Sequence, residues 1–279
     1  MGAKATFSQK LRRTGLLLLG LYLVLVLLLA LLQRRLIYYP TRFKASVAER
    51  WAMTSGLEPW KNSTGQTIVW KSLSKTSAIG QVLIFHGNAG CAIDRAQYVE
   101  ALQSIAPLDV YILEYPGYGS RSGSPSQKTI FAAAREAAES LTPNRPIYVI
   151  GESLGSGVAA HVAGSRPKAV AGVLLIAPYN NFASVAREHL PLFPVKWMLR
   201  DQYPSDLYLK SYAGPLVVLL AGNDRVVPSK FGHRLYDGYH GPKKLLEERN
   251  ATHDDIHMIK PEVWKDIFGF WSDTSAVGK

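Results

Sequence analysis

The stretch Gly151-Glu152-Ser153-Leu154-Gly155 constrains this chain more than any other feature, because of what stands on either side of it. An apolar run, Pro146 to Ile150, leads into it, and a small-residue stretch suited to a helix, Ser156 to Gly164, follows. A serine held in a sharp strand-to-helix turn exposes its hydroxyl above the end of a sheet. Any side chain at Gly151 or Gly155 would strike the neighbouring strand or helix, so both positions require glycine. The pattern alone is a weak signal that Gly/Ser-rich turns also produce; its setting and the partners downstream give it weight.

The rest of the chain repeats that rhythm. Strand-like runs at Gln66 to Leu73, Gln81 to Phe85, Val110 to Leu113, Pro146 to Ile150, Val170 to Ile176, Leu216 to Leu220 and Lys244 to Glu248 alternate with helix-like stretches. The helical stretches include Ala92 to Ile105, Gln127 to Leu141, Ser156 to Ala163, Lys230 to Gly238 and Pro261 to Trp271. Apolar runs without polar alternation, spaced by helices, predict an α/β fold with a mostly parallel sheet covered on both faces. Between Pro178 and Gly214 the rhythm lapses into a segment rich in proline and large apolar residues, too long for a plain connection. It reads as a small lid over the carboxyl edge of the sheet, where ligands bind in such folds. The expected domain therefore covers residues 66–271 with its lid at about 178–214, preceded by a lead-in at 34–65 and followed by a tail at 272–279.

Leu16 to Leu32 is a run without a single charge. As a helix it measures roughly 26 Å, and a slight extension through Thr14 and Gly15 brings it to the ~30 Å of a hydrocarbon core. No Ala-x-Ala site follows it, so residues 1–33 read as a tail and an uncleaved single-pass anchor, with residues 15–33 in the membrane. Lys4, Lys10, Arg12 and Arg13 before the span are matched by Arg34, Arg35, Arg42 and Lys44 after it, so the charge rule for orientation is close to a tie. A short amino-terminal tail rarely crosses when a long domain can be translocated instead, which puts the domain on the non-cytoplasmic side. The single cysteine, Cys91, excludes an internal disulfide. The formal charge of +11 partly belongs to the flanks of the span and suits anionic head groups. No basic stripe interleaved with aromatics appears, so nucleic acid is not an expected partner.

A serine hydroxyl becomes a good nucleophile only when a base takes its proton and a carboxylate orients that base. Asp224 follows the run Leu216 to Gly222 on a tight turn, and His253 follows the run Lys244 to Glu248. Both lie at carboxyl ends of strands, in the order Ser153, Asp224, His253 that successive strand ends deliver to one side of a sheet. His86-Gly87-Asn88-Ala89-Gly90 closes an earlier core strand and can aim a backbone N–H at a developing oxyanion. That role is assigned to Asn88, with the second donor from Leu154, while His86 is read as holding the loop. His253 and His257 stand four apart, a spacing that zinc hydrolases use, but Asp254 follows where glutamate would serve and no third ligand stands out. The expectation is a site without metal or organic cofactor.

With Tyr115-Pro116-Gly117-Tyr118-Gly119, Gly222-Asn223-Asp224 with Val227-Pro228, and Thr252-His253-Asp254-Asp255 added, the chain resembles the α/β-hydrolases over about residues 66 to 271. Within them it is similar to the membrane-anchored, serine-aminopeptidase-like group related to the fungal bud-emergence hydrolases. The resemblance implies an α/β-hydrolase fold and a serine triad, often with esterase or acyl-thioesterase activity. The expected substrate is a small acyl ester or thioester, including lipids; an aminopeptidase or amidase, and a tethered scaffold without turnover, are the alternatives. Glu114 stands where the resemblance leads one to expect aspartate, at a position read as structural.

Overall fold

Unbroken runs of Val, Leu and Ile form strands when helices are available to cover both of their faces. A computed structural model describes residues 6–277; Lys4 and the last two residues of the expected tail lie outside them. In chain order the elements are α1 (Phe7–Ile37), β1 (Tyr39–Pro40), α2 (Ala45–Thr54), β2 (Glu58–Lys61), β3 (Thr67–Ser72), β4 (Gly80–Phe85) and β5 (Ala89–Gly90). A single 3-10 turn (Ala92–Arg95), α3 (Gln97–Ile105), β6 (Leu108–Leu113), α4 (Gln127–Glu139), β7 (Ile147–Glu152), α5 (Leu154–Ser165) and β8 (Val170–Ile176) follow. The remainder is α6 (Phe182–His189), α7 (Val195–Met198), α8 (Ser205–Leu209), β9 (Leu216–Ala221), α9 (Lys230–Gly238), β10 (Lys243–Glu248) and α10 (Pro261–Val277).

Eight strands make one sheet in the order β10-β9-β8-β7-β4-β6-β3-β2. Neighbours from β10 to β6 are parallel, and β3 runs antiparallel to both β6 and β2. Central strand β4 shows how the period of two fills both layers. Leu83 and Phe85 join Ile130 of α4 and Val158 of α5, while Val82 and Ile84 join Tyr98 of α3 and Trp264 of α10. Each of these fully buried aliphatic or aromatic side chains contributes about 1.5 to 3 kcal/mol relative to exposure.

Residues 34–65, expected as a linker or lead-in, carry secondary structure of their own. Helix α1 continues unbroken to Ile37, Ala48 and Ala52 of α2 are buried, and β2 pairs with β3 as the outermost strand of the sheet. The turn that joins them is built by Asn62, whose side-chain oxygen accepts from the N–H groups of Thr64 and Gln66, with Gly65 at φ +78° closing it. Helix α10 carries on into the expected tail, as far as Val277. Its Trp271 is fully buried beside Tyr148, at a centroid distance of 4.9 Å.

Candidate active site

Ser153 sits between β7 and α5 at φ 51° and ψ −115°, a backbone region that a side chain rarely enters and that stores about 1 to 3 kcal/mol of strain. The turn persists because its surroundings leave no alternative. The Ser153 N–H donates to the Ile176 carbonyl at 2.9 Å, and its own carbonyl accepts from Ser156 at 2.9 Å. A Cβ on Gly151 would run into the Gly155 carbonyl, and one on Gly155 into the Phe85 carbonyl. The elbow thus brings helix and strand backbones to distances that only glycine allows.

The structure brings the three separated side chains together. His253, in the turns after β10, places Nε2 3.0 Å from Ser153 Oγ and Nδ1 2.7 Å from Asp224 Oδ2. The carboxylate is itself fixed, because Asp224 Oδ1 accepts from the backbone N–H groups of Val226 and Val227 at 2.8 and 2.7 Å. An ionised carboxylate only accepts, so the ring proton belongs on Nδ1 and the Nε2 lone pair faces the serine. The pair His253 and His257 lies in turns rather than on a helix, and among the described residues no three His, Cys, Asp or Glu side chains are placed to hold a metal ion.

Leu154 opens α5, where the first N–H groups have no intrahelical acceptor. Across from it, Gly87 lies against the serine, since a Cβ there would come within 3.7 Å of Ser153 Cβ. The adjoining Asn88 is pinned from three directions. Its side-chain amide donates to the Ile37 carbonyl at 2.9 Å, and its own carbonyl accepts from Tyr39 N–H at 2.9 Å and Tyr118 O–H at 2.6 Å. His86 is buried behind this loop, with Nδ1 2.9 Å from the Gly87 carbonyl and its ring stacked 3.9 Å from Tyr115. Burial, reinforced by the charge of Arg95, pushes its pKa down to about 3, so it stays neutral at ordinary pH.

Two supporting groups had no signal in the sequence. Glu152, directly before the serine, forms a buried ion pair with Arg95 and accepts from Tyr98 O–H at 3.2 Å. Those partners come from separate elements, and no local spacing announces them. The cap made by α6, α7 and α8 occupies the expected lid, but helix α1 docks on it. Arg34 pairs with the buried Asp201 at 3.0 Å, Tyr38 O–H donates to the same carboxylate at 3.0 Å, and Tyr38 and Tyr203 share a hydroxyl contact of 2.9 Å. Glu114 is wholly buried away from the serine, accepting from Trp70 Nε1 at 3.0 Å and Ala92 N–H at 3.2 Å.

A mostly parallel sheet with this strand order, a strained serine directly after strand β7 and loops gathered at the carboxyl edge define a class, and residues 80–207 match the family described as alpha/beta hydrolase fold. The chain belongs to the α/β-hydrolase superfamily. Among its relatives, a Mycobacterium tuberculosis protein described as uncharacterized is 34% identical over 205 residues, covering 71% of this chain and 72% of that one. The lysophosphatidylserine lipase ABHD12 of Macaca fascicularis is 28% identical over 198 residues, 63% of this chain and 50% of that one. This chain therefore spans about half the length of that lipase. The structure of Est1E from Butyrivibrio proteoclasticus with ferulic acid bound superposes with a TM-score of 0.61 at 16% identity, over 77% of this chain and 98% of that one. That likeness is one of fold.

Proposed function

We propose that this chain is a membrane-anchored serine hydrolase that cleaves acyl esters or thioesters, with Ser153 as nucleophile, His253 as base and Asp224 as the group that orients it. The observation that carries the reading is the continuous relay Asp224 Oδ2, His253 Nδ1, His253 Nε2, Ser153 Oγ. In the first step Ser153 Oγ attacks the acyl carbonyl as its proton moves to His253 Nε2. Negative charge gathers on the carbonyl oxygen, and the N–H groups of Leu154 and Asn88 are the assigned donors to it. The imidazolium then protonates the departing alcohol or thiol, leaving an acyl-serine. Water, deprotonated by the same histidine, releases the acid and restores the serine. This chemistry requires no metal or organic cofactor.

Acyl esters are favoured by the lysophosphatidylserine lipase among the relatives of this chain and by the apolar cap. Membrane attachment is favoured by α1, the one helix among the described residues long and apolar enough to cross a bilayer. The finer kinship, with the serine-aminopeptidase-like group, rests on the motif series and that single span. The domain is placed on the non-cytoplasmic side because a short tail seldom translocates. Labelling with a fluorophosphonate probe tests the core of the reading: the native chain should react at Ser153, and Ser153→Ala should abolish labelling and nearly all ester turnover. Hydrolysis of a dipeptide amide in preference to p-nitrophenyl esters would instead make it an amidase.

A further inference from the structure

Helix α1 does more in this structure than lead into the domain. Between it and the cap lies a cavity of about 160 Å³, walled by Leu29, Gln33 and Ile37 of α1, Phe182 and Ala186 of α6, and Met198 of α7. Gln33 adds no free polar group to it. Its Nε2 donates to the carbonyls of Ala30 and Met198 at 2.6 and 3.1 Å, and its Oε1 accepts from Arg200 N–H at 2.7 Å. Space lined by apolar side chains and of this size can take a short hydrocarbon segment.

Its depth is as telling as its lining. Leu29 belongs to the uncharged run of α1, and the cap follows that run downward: Tyr22 O–H donates to the Leu192 carbonyl at 2.9 Å and its ring stacks 5.9 Å from Phe193. From Arg34 to Tyr22 is roughly 18 Å along a helix, more than half of a hydrocarbon core. Residues 190–199 carry one charge, Lys196, whose long stem can reach the interface, while Leu192 and Trp197 are 81% and 86% exposed. Such a cap belongs in the acyl region of a leaflet. Two elements of the cavity wall are also hydrogen-bonded to loops of the candidate site. The Ile37 carbonyl accepts from Asn88, and α6 is tied to the Asp224 turn by the contact of His189 Nε2 with the Val226 carbonyl at 2.9 Å.

We infer that this cavity receives the acyl chain of a membrane lipid ester, with the anchoring helix as one wall, so that substrate passes sideways from the leaflet to Ser153. The inference rests on the acyl-hydrolase reading of Ser153 for its purpose, and on the α1–cap geometry for its place.

The test uses the full chain carrying Ser153→Ala in phosphatidylcholine vesicles, with a lysophospholipid bearing a mid-chain diazirine. Irradiation should attach the probe to cavity residues of α1 and α6, and Ala186→Trp, which fills the space, should cut that yield about tenfold, the effect of excluding roughly two buried methylene groups. With Ser153 intact, Ala186→Trp should lower the ratio of dodecanoyl to acetyl ester hydrolysis by a similar factor. Ala186→Leu should lower it less, and serves if the tryptophan variant does not fold. Probe attached only to the outer face of α1, or yield and ratio both unchanged by either variant, overturns the inference. Cavity adducts in a chain that cleaves no ester would retain the chain site and retire the hydrolase reading. Ester cleavage with yield and ratio both unchanged would do the reverse.

Discussion

At the scale of single residues, the site works by restricting freedom that isolated side chains would have. Asp224 is held by two backbone N–H groups before it meets His253, so its second oxygen has one direction in which to accept. Asp224→Asn should therefore reduce turnover by ~10⁴-fold, because the amide favours the wrong imidazole tautomer. Rates on a p-nitrophenyl ester would check it, and a loss under tenfold would mean that another carboxylate orients the ring. Glu114 offers a pH signature. Burial raises its pKa from 4.5 to about 7, outweighing the two hydrogen bonds that favour its charged form. The folded state thus holds the proton more tightly than the unfolded chain. Stability from this group is full below about pH 4.5, declines as pH rises towards 7 and is level above. Glu114→Gln should lower stability overall, since its NH2 opposes a donor where an oxygen stood, yet should remove that decline; Tm measured at pH 5 and pH 8 would decide. The same slope in both proteins would relocate the effect.

At the scale of elements, the joint between α1 and the cap deserves the name of an interface more than of a tether. Asp201 is 2% exposed and serves both Arg34 and Tyr38. Asp201→Ala would leave the buried Tyr38 hydroxyl without its carboxylate, at a cost of about 1 to 3 kcal/mol. The Arg34 share of that loss is small because its side chain is half in solvent. Faster protease cleavage within residues 190–204 and a lower Tm are expected; unchanged cleavage would mean that apolar packing alone holds the cap. Elements of the sheet were legible beforehand because uniform apolar runs leave few choices, and Val170–Ile176 runs exactly where its residues suggest. The small strands were not. Trp60 in β2 carries no pattern of its own, and only its pairing opposite Val69 makes that segment a strand.

For the molecule as a whole, helix α1 and the α/β domain pack together from Tyr22 onward. A chain beginning at residue 34 loses Gln33, one wall of the cavity and the cover over the cap, so it should leave the membrane fraction only with detergent present. Gel filtration tests this, and a monodisperse protein without detergent would show that the cap surface is not lipid-facing. The candidate site itself was readable in advance, residue by residue: Ser153, Asp224 and His253 stand after strand-like runs, and strand ends in a parallel sheet converge on one edge whatever the intervening loops contain. Sequence by itself therefore determined the sheet, the elbow and the identity of the converging side chains, because these follow from local periodicity and glycine sterics. Only tertiary structure decided that the apolar helix packs on the cap, and that Glu152 faces Arg95 and Asn88 faces Ile37. Those contacts join residues 51 to 170 positions apart through chain geometry, which no local pattern encodes.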